Sequence, residues 1–462
     1  MFRDGLRHLR DHHPLFFNPV ALQSVRIQSA ESEVVLSRTG GNAPWLITKP
    51  IELGTDKLAV EKLLKDLYLM RAVKIAERSE VTLPADDVNG RQKIALKHFG
   101  QTGEVVMEIM PPATPEAATV FATVSDRPGT VFELRLKPLA PTLTTEGTPA
   151  INVPAEDLVS VAGLPDTVNE LRDPRLTDLA VKDIEGILIS PATSEAIVLA
   201  QPKGGRMQVQ NRAGRLEPLN EMSLYRLLKT VTEAKATGFP SDAAVDLAPY
   251  GLDRPALKLR IATTTDKIVD LQFGQGRDGT WYAMHAGVPR VMKLDDVFIH
   301  EIATKIWQWR VTDVFNIASV DLSSIEREME GRPHLKLEYN WNDESWIAHE
   351  GDADRTAELV TERANRLLDP LLKFRCDTWL APDDANARTA LAKPAMRFTL
   401  GIKLRDAAGE EAGFKRRELI LAPASDSPQN RLFYGRISGE ALPFMVNADT
   451  VARLAVDLFG DD

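Results

Sequence analysis

Three leucine-rich amphipathic helices recur along this chain in the same order relative to the strands around them, and a chain that repeats itself folds as repeated units. Asp56 precedes a run holding Leu63, Leu64 and Leu67; Asn220 or Ser223 precedes Leu227, Leu228 and Val231. Asp354 precedes the third, through Leu359, Val360, Ala364 and Leu367. Each start offers a polar N-cap ahead of the periodic residues. Alternating runs follow each helix: Ile94 and Leu96, Val105 to Ile109 and Val120 to Val124 in the first unit; Leu257 to Ile261, Ile268 to Phe273 and Trp281 to His285 in the second. In the third they are Met396 to Leu400, Leu419 to Leu421 and Leu432 to Arg436. Period-two patterning between Gly, Pro and Asn/Asp turns predicts antiparallel meanders with one buried face. A short strand and a second helix close each unit, with helix starts at Pro154, at Asp295 (carrying Val297, Phe298, Ile302 and Ile306) and at Asn447 or Asp449.

The spacing supports the repeat. Leu252 and Leu391, in the matching stretches Gly251-Leu252-Asp253-Arg254-Pro255 and Ala390-Leu391-Ala392-Lys393-Pro394, lie 139 residues apart, and the helix residues Leu227 and Leu367 lie 140 apart. Leu63 and Leu227 are 164 apart, a surplus assigned to a Pro/Thr-rich insertion near residues 135–150. The predicted fold is therefore α+β, with three tandem diverged units, each a mostly antiparallel β-meander packed with two helices. The units span residues 20–177, 178–315 and 316–462, after an N-terminal leader at 1–19. At 462 residues the length fits three domains, given about 100–200 residues for each.

Composition excludes several functions. A net charge of −10 lacks the concentrated basic surface that nucleic acid requires. Lys415, Arg416 and Arg417 are flanked by Glu410, Glu411 and Glu418, as on a solvated face. The single cysteine, Cys376, permits no internal disulfide and reads as a small core residue. Nothing approaches the roughly 18–20 consecutive apolar residues that span a bilayer.

Catalytic motifs fail on context. Gly274-Gln275-Gly276-Arg277-Asp278-Gly279 has dinucleotide-fingerprint spacing, but a strand follows where a helix should, so it reads as a hairpin loop whose glycines supply positive φ. His300-Glu301 begins like a zinc-protease helix, but Thr304 stands where the second histidine belongs. His8, His12 and His13 lie in a polar terminus; Asp352, Asp354, Asp383 and Asp384 lack the ligand alternation of a calcium loop. No cofactor or metal site is expected. Trp45 and Trp346 each precede their unit's first helix, as recurring core anchors. Trp307 and Trp309, at i and i+2, cannot share a helix face, so one of them is expected at a contact surface.

Two elements carry a family resemblance: Trp45-Leu46-Ile47-Thr48-Lys49-Pro50 before the first helix, and Tyr250-Gly251-Leu252-Asp253-Arg254-Pro255 followed by a glycine loop, Trp281-Tyr282-Ala283 and Val291. Together they resemble the uncharacterised bacterial domain-of-unknown-function 4340 family over roughly residues 20 to 315. Gly251 suits a turn with positive φ and Pro255 the start of an edge strand, so the motif is architectural. The first unit lacks it, with Asn89-Gly90 near that place, and the third has Ala390 and Ala392 for the Gly and Asp. The resemblance implies a protein held to the bacterial inner membrane by one N-terminal helix, its bulk periplasmic, serving as an auxiliary of an ABC-type transport system such as those of gliding motility. It implies protein partners in that complex, and membrane contact only through a helix that would precede Met1. The expected function is non-enzymatic binding or scaffolding. The alternatives are a hydrolase of an envelope polymer with spatially assembled carboxylates, and a cytoplasmic adaptor.

Overall fold

The structure, a computed structural model, describes residues 11–83, 91–137, 159–340, 343, 345–406, 409–424 and 432–460. Three nine-stranded sheets run through it, and every strand pairing is antiparallel. Numbered from its own first strand, each sheet has the order 4-3-2-1-6-7-8-9-5. A 3-10 turn leads into each first strand: Pro19–Ala21 into Leu22–Gln28, Val181–Asp183 into Ile184–Pro191, and Ser319–Asp321 into Leu322–Met329. Each first strand slips register at the same place, between Leu22 and Ser24, Ile184 and Gly186, and Leu322 and Ser324.

The meanders expected after each helix are present. Leu257–Thr263 alternates strictly, with Leu257, Leu259, Ile261 and Thr263 buried. Four further strands precede each helix: Leu22–Gln28, Glu33–Ser37, Leu46–Lys49 and Leu53–Gly54 in the first sheet, with counterparts in the others. The sheet edges are strands of only two to four residues, Leu53–Gly54 and Lys74–Glu77 in the first case, which leaves little unpaired backbone.

One long helix packs on each sheet: Lys57–Leu69, Glu221–Glu233 and Thr361–Leu372. The first buries Val60, Leu63, Leu64 and Leu67, an i, i+3, i+4, i+7 stripe. Asp56 and Asn220 cap the first two through their side-chain oxygens. The third begins later than predicted: Val360 is its N-cap, and Asp354 lies in the two-residue strand Ala353–Asp354.

The expected second helix is the main correction. Asp296–His300 has five residues and Ala448–Leu454 seven. The former does not reach Ile306: Ile302 N–H turns to Ile299 O (3.1 Å), and Ile306–Trp309 forms a 3-10 turn of its own, with Lys305 N–H donating to Gln308 Oε1 (2.9 Å). Asn447, not Asp449, caps the latter. In the first unit Val161–Gly163 is a 3-10 turn, while the expected start at Pro154 and most of the 135–150 insertion lie outside the described residues, as do His8, Asn89 and Gly90. A helix not foreseen, Ala385–Leu391, belongs to the third sheet.

Three separate cores run from Leu15 to Leu171, Leu176 to Trp309, and Phe315 to Leu458. Leu15 and Phe17, within the expected leader, are part of the first core. The chain divides into two compact units, Met1–Arg175 and Leu176–Asp462, the second holding the second and third sheets. No helix among the described residues is long and apolar enough to cross a membrane.

Candidate functional site

The second and third sheets are joined by residues 309–313, which hydrogen-bond on both sides. Towards the second sheet, Asn220 N–H donates to Trp309 O (2.8 Å), Ser223 Oγ–H donates to Gln308 O (2.8 Å), and Leu219 bridges Arg310. Towards the third, Asp313 bridges Arg375, Cys376 N–H donates to Thr312 O (2.9 Å), and Trp379 Nε1–H donates to Val311 O (2.8 Å). Arg310 stacks over Trp379, its guanidinium carbon 4.3 Å from the ring centroid, and pairs with Glu440 at 2.7 Å.

A cleft of about 1050 Å³ opens over this junction, lined by the start of the Glu221–Glu233 helix, by His300 and Glu301, and by residues 375–378. Arg226 and His300 have no partner among the described residues. The acids are more engaged. Asp313 pairs with Arg375 at 2.9 Å, and Asp377 accepts from Asn447 Nδ2 at 3.1 Å. Cys376 lies beneath, and burial pushes its thiol up to about 12, so it is protonated and a poor nucleophile. Among the described residues no cluster of three His, Cys, Asp or Glu could hold a metal ion.

Next to the cleft, the same helix borders an apolar groove of about 680 Å³. Leu219, Leu224 and Leu228 form its floor with Ile184 and Met207, and Tyr225 stands 60% exposed at its rim. The N-terminal half of one helix thus separates a polar cleft from an apolar groove.

The sequence-selected residues fall elsewhere. Trp309 is fully buried in the second core, whereas Trp307 is partly buried against the third. Their i, i+2 spacing sends the rings towards successive cores, with Trp307 keeping part of its surface exposed. Gly251 has φ 65°, as its turn requires, and it packs backbone against backbone. A Cβ there would lie 2.3 Å from Gln275 O, and one on Gly274 would lie 2.4 Å from Gly251 O. Gly274 and Gly276 therefore serve close approach rather than positive φ, which only Gly279 of that loop adopts. Leu252 is buried in a small cluster with Met284 and Val291; Asp253 and Pro255 sit in the turn leading to Leu257–Thr263. Trp45 and Trp346 occupy one register position, two residues before the paired Ile47 and Ala348. Trp346 is buried, whereas Trp45 lies half-exposed under Arg38, ahead of the strand that runs to Lys49 and Pro50. The cleft residues Arg226, Arg375 and Asp377 carried no sequence signal, since only the folded junction brings them together.

These features define a mainly β protein of repeated nine-stranded antiparallel sheets. Residues 217–394 match the family model described as Domain of unknown function (DUF4340). The match takes in every residue of the cleft and the Gly251–Pro255 turn, but not Trp45 or Pro50. Neither a comparison with curated proteins nor one with solved structures finds a match.

Proposed function

We propose that this chain is a non-enzymatic binding and scaffolding protein, built from three diverged copies of one sheet-and-helix unit and acting as an auxiliary of an ABC-type transport system in the bacterial envelope. The observation that carries this reading is the pairing of polar cleft and apolar groove on one helix, both reaching into the family-matched segment. A protein partner that covers both would gain apolar burial on one side and directional polar contacts on the other. A hydrolytic cleft, by contrast, needs two free carboxylates facing one bond. Here Asp313, Asp377 and Glu221 already have partners in Arg375, Asn447 and Arg206, which leaves Glu301. The transport association rests on the family resemblance.

The test is site-specific photocrosslinking in cells that produce the native gene, with the photoreactive residue at Arg226 and separately at Tyr225. The expected product from both positions is an adduct with a membrane subunit of an ABC-type transporter. Adducts with soluble enzymes alone, or none from either position, would overturn the reading.

A further inference from the structure

Three residues past the register slip, the first strands carry Ile27, Ile189 and Arg327, paired across to Ile94, Leu259 and Phe398. The two isoleucines are 2% and 0% exposed, and Arg327 only 6%. An arginine thus fills a position that is aliphatic core in the other two sheets. One nitrogen, Nη1, donates to Leu454 O (3.3 Å) and Val456 O (2.7 Å), at the end of the Ala448–Leu454 helix. These carbonyls, at the negative end of the helix dipole, suit a cation but do not neutralise it. Among the described residues no carboxylate forms an ion pair with Arg327.

The guanidinium lines a pocket of about 340 Å³ whose exposed lining is mostly polar, with Leu335 and Phe459 forming an apolar side. Its two acids are already engaged: Glu350 with Arg355 at 2.8 Å, and Asp457 with Arg332 at 3.8 Å. We propose that this pocket binds a small monocarboxylate carried on an apolar body, with the carboxylate on Arg327. The planar guanidinium matches a carboxylate's two oxygens, and the side formed by Leu335 and Phe459 takes the apolar remainder of the ligand. Glu350 and Asp457 repel a second negative charge, which disfavours phosphate and dicarboxylates.

The experiment is calorimetric titration of the full chain with 4-methylpentanoate, its amide 4-methylpentanamide, and inorganic phosphate. Saturable binding is expected for the acid, at least tenfold weaker binding for the amide, and none for phosphate. Arg327→Ile installs the residue that two sister sheets carry at this position, so the variant should fold and bind the acid at least tenfold more weakly. No saturable heat with the acid, equal binding of acid and amide, or undiminished binding by folded Arg327→Ile would each overturn the proposal. The acid–amide comparison decides the matter even if the variant does not fold.

Discussion

The second and third sheets share strand order, register slip and helix position, yet they cover the same hairpin differently. In the second, Leu257 pairs with Phe273, and the next residue, Gly274, lies under the backbone of Gly251. In the third, Met396 pairs with Leu421, and the next residue, Ala422, lies under the helix Ala385–Leu391 through Ala387 and Leu391. A turn that needs two glycines has given way to a helix that needs small side chains. The strand frame is therefore separable from what lies on it. The family-like motif marks one particular cover, not the frame.

The largest effect should come from the second core. Trp309→Ala removes a fully buried ring and the hydrogen bond from its indole, costing about 3–5 kcal/mol. Hydrogen exchange should then quicken in Leu257–Thr263 while Met396–Arg405 keeps its protection, because the cores are separate. Equal loss in both strands would show the two sheets to be one cooperative block.

Cys376 distinguishes the sheets at high pH. Cys376 and Ala236 hold equivalent places, each directly before a residue whose N–H donates to the closing strand: Asp377 to Met445 O, and Thr237 to Lys293 O. Folding raises the thiol from 9.0 to about 12, so the neutral form is favoured in the native state. That contribution is complete below pH 9 and falls away as pH rises towards 12, by about 1.4 kcal/mol per unit at most. Cys376→Ala should lose this part of the alkaline decline, as read from urea midpoints between pH 8 and 11. Identical profiles for the two proteins would refute the burial argument.

Next in size is the cover itself. Gly274→Ala brings a Cβ within 2.4 Å of Gly251 O, and displacing that backbone should cost about 2 kcal/mol. The reverse exchange in the third sheet, Ala422→Gly, loses strand rigidity and one buried methyl, about 1.5 kcal/mol in all. Denaturant midpoints that rank the two the other way would break the distinction between backbone and side-chain packing.

Much of this frame was legible in the sequence, and the misses have physical causes. Leu257, Leu259 and Ile261 announce a strand because one face is core and the other water. Asp56 and Asn220 announce helix starts because their side chains accept the orphan N–H groups. The short strands before each helix stayed hidden: Gln208–Gln210 and Leu216–Glu217 are too short to show an alternation. The helix after Asp295 was overestimated because Ile306–Trp309 turns as a separate 3-10 segment that sends Trp309 and Trp307 to different cores, a tertiary event. The cleft was invisible for the same reason. Arg226 and Arg375 are distant in sequence, and neither belongs to a motif.

The smallest expected effect concerns the tie between the two sheets. The hydrogen bond from Arg310 holds the Glu440 carboxyl below the usual glutamate range, against an opposing contribution from partial burial. A depressed carboxyl stabilises the fold above its unfolded pKa, and that contribution is lost as pH falls through the folded value. The pair is partly exposed and screened by solvent, so its contribution is about 0.5 kcal/mol at neutral pH. Glu440→Gln should lower the unfolding midpoint slightly at pH 7, and the two proteins should converge as acid protonates Glu440. Because Arg310 also stacks on Trp379, Arg310→Ala should cost more than Glu440→Gln. If the two substitutions cost the same, the ion pair rather than the stacking carries the tie, and the second and third sheets are held together more by charge than by packing.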